Sequence, residues 1–183
     1  MRNISLMGDI FSMIKKDFGP IDTLVCNAGI SLHETSFEMV TPESFDAQFI
    51  TNFKSNYFLS QYFLKSPESR NLLFISSETA DMCCNIPYGL TKNVLNSLVG
   101  ALSRRYYVNG KRINAIAPGS TLTNMVKNTN ADTSDISYNN AAGRYFLPEE
   151  IAEVATFLLC DASRCISGEI IHTNAGNHIR PQS

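Results

Sequence analysis

The stretch "NLLFISSETADMCCNIPYGLTKNVLN", residues 71–96, decides the fold. It begins with an apolar run that stops at two serines, as a buried parallel strand does where it enters a loop. It ends in a helical apolar pattern that opens with Pro87, a good first helical residue, and continues over residues 88–108. Tyr88 stands four residues ahead of Lys92, so the two share a helix face. The segment therefore reads as strand, loop and helix, with a possible acid–base group at the start of the helix.

Reading outward, the same alternation fills the chain. "GDIFSMIKKDFGP" is a helix stopped by Gly19 and Pro20. "DTLVCNAG" is a short apolar strand running into Asn27-Ala28-Gly29. The segment 42–65 is a long helix, with Thr41 as N-cap and Pro42 at its first position. "KRINAIAPG" and "GEIIHTNAG" are two further strands, and "LPEEIAEVATFLLCD" is a helix with acidic residues in its first turn. Residues 124–143 are polar and read as a loop or lid. The pattern predicts an α/β protein: a partial Rossmann-like, doubly wound parallel sheet with helices on both faces. Its strands should lie near 22–27, 71–76, 111–116 and 169–173. Helix 42–65 carries aromatic residues over most of its circumference, with Phe45, Phe49 and Phe53 in one stripe. Such a helix is covered on more than one side, either by a second subunit or by loops of the same chain.

Composition narrows the class. The 183 residues suit one domain, 1–183, and 44% hydrophobic with 17% charged residues suits a packed core. A formal net charge of −2 with no basic run argues against nucleic acid as a partner. No apolar run reaches the roughly 20 residues needed to span a bilayer, so no membrane is expected either. The five cysteines lack metal-binding spacing, no metal site is expected, and reduced thiols in a cytoplasmic protein are the simplest reading.

Ligands in such folds bind beyond the carboxyl ends of the strands. There lie Asn27-Ala28-Gly29, Ser76-Ser77, Pro118-Gly119 with Thr123, and Tyr88. A tyrosine has an ordinary pKa of about 10, and a nearby ammonium would lower it. A serine hydroxyl could hold a substrate oxygen while Tyr88 delivers or removes its proton, which fits carbonyl–alcohol interconversion by hydride transfer. Taken alone, however, Tyr and Lys four apart are as common on ordinary helix faces.

The ordered set "GPIDTLVCNAG", "NLLFISS", "YGLTK", "INAIAPGSTLTNM" and "LPEEIAEVATFLL…ISGEII" resembles the short-chain dehydrogenase/reductase family, particularly its 3-oxoacyl carrier-protein reductase-like members, over roughly residues 10–177. The resemblance implies an NAD(P)-dependent oxidoreductase acting on a small-molecule carbonyl or alcohol. It implies Tyr88 as catalytic acid/base, Lys92 as its partner and ribose ligand, and Asn52 in a proton relay. It implies Ser77 as the substrate-oxygen serine, with Ser76 as a rival because the separation from Ser77 to Tyr88 is short for the family. The implied cofactor-binding residues are Asn27, Ala28, Gly29, Tyr88, Lys92, Pro118, Gly119 and Thr123. A homo-oligomer through helices 42–65 and 88–108 is also implied.

Two departures stand out. The family's first strand and T-G-x-x-x-G-x-G turn have no counterpart here, so three family strands are expected to be missing, "TLVCN" should form a bare sheet edge, and binding of NAD or NADP by this chain should be weak or absent. The alternative that follows is a truncated, catalytically inactive paralogue acting as an oligomerising or binding protein. The ending "HTNAGNHI" also lacks the family's acidic-Gly-Gly.

Overall fold

The computed structural model describes residues 4–127 and 141–179. Four strands form one sheet in the order β1 (Thr23–Cys26), β2 (Asn71–Ile75), β3 (Arg112–Pro118) and β4 (Ile170–Thr173). All three neighbouring pairs are parallel. The strands fall within one or two residues of the expected positions. β3, however, runs on to Pro118, because Ala117 and Pro118 still pair with His172 and Thr173 of β4.

Alternation along the strands sorts the core into two layers. Leu72, Phe74, Ile113 and Ala115 turn to one face and pack with Phe63, Leu95 and Val99. These last come from α3 (Ser55–Lys65) and α4 (Pro87–Tyr106), while Phe11 of α1 (Met7–Phe18) packs against the same cluster. Leu73 and Ile116 turn to the other face, against Leu158 of α6 (Pro148–Leu159). Helices thus lie on both faces, three against one. β1 is an edge strand, and its Val25, which points to the sparsely covered side, is 42% exposed.

Local chemistry sets the helix ends. α1 stops at Gly19, which adopts φ +88° while its N–H donates to Lys15 O at 3.1 Å. The helix α2 (Pro42–Gln48) begins with a reciprocal cap in which Ser44 N donates to Thr41 Oγ1 and Thr41 N to Ser44 Oγ, both at 3.2 Å. At α6, Glu150 Oε2 accepts from Leu147 N at 2.7 Å.

The expected continuous helix 42–65 is interrupted. Residues Phe49–Lys54 form a widened π turn between α2 and α3. A π turn inserts an extra residue into the helical repeat and re-aims the side chains that it carries. Here it turns Asn52 away from the helix and into the loop after β1. Of the polar stretch 124–143, Asn124–Lys127 form a single helical turn, α5. Residues 128–140 of the expected lid lie outside the described residues.

Candidate active site

The carboxyl ends of β1, β2 and β3 open on a cleft of about 620 Å³. Of the residues expected there, Asn27, Gly29, Ser76, Ser77, Tyr88, Lys92, Pro118, Gly119 and Thr123 line it. Ala28 and Asn52 do not.

The two serines after β2 have different surroundings. Ser76 Oγ donates to Asn96 Oδ1 at 2.6 Å, so it ties β2 to α4. Ser77 Oγ accepts from Thr79 N at 3.2 Å and from Thr79 Oγ1 at 2.9 Å. Those two bonds occupy its acceptor sites and leave its own proton to donate. The Ser77 hydroxyl also faces the Tyr88 phenol, near enough to favour its charged form. It therefore caps the turn Glu78–Asp81 and faces the tyrosine at once.

Tyr88 sits in the first turn of α4, next to Gly89. A Cβ at Gly89 would lie 2.6 Å from Cys84 Sγ, so only glycine lets the loop 78–86 close over this turn. Burial raises the Tyr88 pKa above 10.0, and the Ser77 hydroxyl partly offsets the rise. The lowering expected from Lys92 is not what the structure shows. The Lys92 Nζ lies 5.6 Å from the centroid of the Tyr88 ring, over its face and not at its hydroxyl. That ammonium donates instead to Ile75 O at 2.7 Å, the last carbonyl of β2. Burial lowers the Lys92 pKa from 10.5 to about 8.

Asn52 and Asn56, one helical turn apart, have different partners. Asn56 Nδ2 bonds the helix backbone, at Asn52 O, 2.7 Å away. Asn52 instead exchanges two bonds with the main chain of Ile30 and donates to Thr91 Oγ1 at 3.1 Å. It is fully buried behind Gly29. Thr91 was not anticipated, although its place between Tyr88 and Lys92 on α4 could have marked it. Glu78 was also missed; its position directly after Ser77 was the available signal.

The residues present fit one end of a dinucleotide. The loop at Gly29 lies against the Lys92 ammonium: a Cβ there would stand 3.4 Å from Lys92 Nζ, an ordinary contact distance. Lys92 has two N–H groups beyond the one on Ile75 O, suited to ribose hydroxyls. Among the described residues, no group of three or more His, Cys, Asp or Glu side chains could hold a metal ion. No helix among them is long and apolar enough to cross a membrane.

Comparison with known proteins gives the family. A family model described as enoyl-(acyl carrier protein) reductase matches residues 4–178. A tropinone reductase homolog of Arabidopsis thaliana is 30% identical over 183 aligned positions, covering 96% of this chain and 68% of the relative. Gluconate 5-dehydrogenase of Gluconobacter oxydans is 29% identical over 177 residues, covering 92% of this chain and 68% of its own length. The crystal structure of an angucycline C-6 ketoreductase with bound NADP superimposes with a TM-score of 0.85 at 25% identity, over 97% of this chain and 71% of that one. A parallel sheet with Ser77, Tyr88 and Lys92 at its carboxyl end, a family model spanning nearly the whole chain and relatives that are dehydrogenases and reductases lead to one conclusion: the chain belongs to the short-chain dehydrogenase/reductase family of oxidoreductases.

Proposed function

We propose that the cleft interconverts a carbonyl and an alcohol with NAD or NADP as hydride carrier. The observation that carries this reading is the Ser77 hydroxyl facing the Tyr88 phenol, with the Lys92 ammonium beside the same ring. The nicotinamide, when bound, supplies or accepts the hydride. Ser77 donates its remaining proton to the substrate oxygen and holds it near Tyr88. Tyr88, kept protonated by burial, gives its phenolic proton to that oxygen in the reducing direction. Lys92 positions ribose hydroxyls from its anchor on Ile75 O. Asn52 acts one layer back by holding the loop that carries Gly29. Asn27, Gly29, Pro118, Gly119 and Thr123, which line the cleft, would surround the nicotinamide end, and Ala28 would serve only as the link between Asn27 and Gly29.

A second reading has its own support. The free edge of β1 and an apolar surface groove lined by Phe49, Phe53, Tyr57 and Phe58 suit a chain that associates with other subunits without turning over. Titration with NADH and NADPH by calorimetry, followed by assay with small ketones, separates the two. The expected result is cofactor binding weaker than about micromolar, since contacts at one end of a dinucleotide must overcome the entropy of association alone. Slow ketone-dependent oxidation of the reduced cofactor at high concentration, lost in Tyr88→Phe, is expected with it. No turnover at any cofactor concentration favours the second reading.

A further inference from the structure

Glu78 is the one carboxylate among the described residues that line the cleft, and the chemistry above makes no use of it. It follows Ser77 directly, in the turn Glu78–Asp81, and is 8% exposed. Its Oε2 accepts from Asn174 Nδ2 and from Asn177 Nδ2, each at 3.0 Å. Both asparagines belong to the turn after β4, in the run "NAGN", residues 174–177. An acid at residue 174 would repel Glu78, whereas an amide can hold it.

Amide N–H groups fix a carboxylate without cancelling its charge, as a lysine or arginine would. Neither Lys92 nor His33, the basic residues along the cleft, bonds Glu78: Lys92 Nζ is on Ile75 O, and His33 is paired with Ser31. Asp81, three residues on, is turned to His172 Nε2 at 2.6 Å, on the side of the C-terminal turn. Glu78 Oε1 has no partner among the described residues, yet it is not one of the sealed, unpaired atoms. A fixed, negatively charged acceptor therefore stands in the wall of the cleft next to Ser77.

We propose that Glu78 determines substrate specificity. Through Oε1 it selects ketones and alcohols that carry an N–H or O–H donor a few bonds from the reacting carbon, and it disfavours anionic ones. A donor gains a charge-assisted hydrogen bond, while a substrate carboxylate meets a like charge that cannot move away. The inference rests on the oxidoreductase reading only in taking this cleft as the substrate site.

The test uses three cyclohexanones that differ only at C4, bearing an amino, a hydroxy or a carboxylate group. Each is titrated into the 183-residue chain without cofactor and followed by ligand-observed NMR. The amino and hydroxy compounds should bind about tenfold more tightly than the carboxylate, the usual effect of one hydrogen bond to a charged group. Whichever of the two binds better identifies ammonium or hydroxyl as the preferred donor. Glu78→Gln, which retains an acceptor for the asparagines, should bring all three within about threefold. Equal or tighter binding of the carboxylate by the wild type, an unchanged spread in Glu78→Gln, or no binding of any probe overturns the proposal. If Glu78→Gln does not fold, the wild-type order alone decides. Because no nicotinamide is present, absence of turnover at any cofactor concentration sinks the oxidoreductase reading without obscuring this result.

Discussion

Asn52 and Ile30 exchange two hydrogen bonds, from Ile30 N to Asn52 Oδ1 and from Asn52 Nδ2 to Ile30 O, each 2.8 Å long. The side-chain amide pairs with the loop as a neighbouring strand would. It ties the segment after β1 to the widened turn between α2 and α3, with Gly29 lying between Asn52 and Lys92.

Asn52→Leu should destabilise the fold by about 2–4 kcal/mol, because it strands a buried N–H and a buried C=O. Chemical denaturation gives the value. A loss below about 1 kcal/mol would mean that water or a rearranged loop satisfies Ile30 just as well.

Lys92 makes stability depend on pH. In the unfolded chain it titrates near 10.5, and in the folded chain near 8. Between those values the unfolded state holds more protons, so this group's contribution rises as pH climbs from about 8 to about 10.5 and is lost as pH falls back through 8. Other groups oppose the trend, notably Cys26, whose pKa burial raises to about 12. The measurement is therefore a difference: the unfolding free energy of wild type minus that of Lys92→Met. It should grow by about 2–3 kcal/mol across that window, and a flat difference would contradict the burial of the ammonium.

Tyr88 should titrate above the ordinary tyrosine value, since burial raises it more than the Ser77 hydroxyl lowers it. Subtracting the ultraviolet titration of Tyr88→Phe from that of the wild type isolates its curve. Ser77→Ala should move the midpoint further up, because it removes the one contact that favours tyrosinate. A downward shift would show that the serine does not favour tyrosinate. In any turnover assay, Tyr88→Phe should lower the rate by about 100-fold or more.

The groove on α2 and α3 should be an oligomer contact. Tyr57 is 42% exposed there, next to Phe53 and Phe58. Light scattering at micromolar concentration is expected to give a dimer for the wild type and a monomer for Tyr57→Glu. A wild-type monomer would count against this face. A dimer unaffected by Tyr57→Glu would direct attention to the free edge of β1.

By itself the sequence determined the alternation of strands and helices, the parallel sheet, and the placing of the Ser76-Ser77 pair at a strand end with Tyr88 and Lys92 on one helix face. Those features follow from local periodicity, from helix-start signals such as the Thr41 cap and Pro87 in the first turn, and from motif order. Tertiary structure alone decided which serine faces the tyrosine. It also decided that burial and not Lys92 sets the Tyr88 pKa, that Asn52 braces a loop, and that Glu78 stands in the cleft wall held by two asparagines. Each of these depends on partners far apart in the chain: Asn52 and Thr91 are 39 residues apart, and Glu78 and Asn174 are 96. Spacing along the chain reports a shared helix face or strand face, but desolvation and hydrogen-bond pairing depend on what the rest of the fold brings alongside.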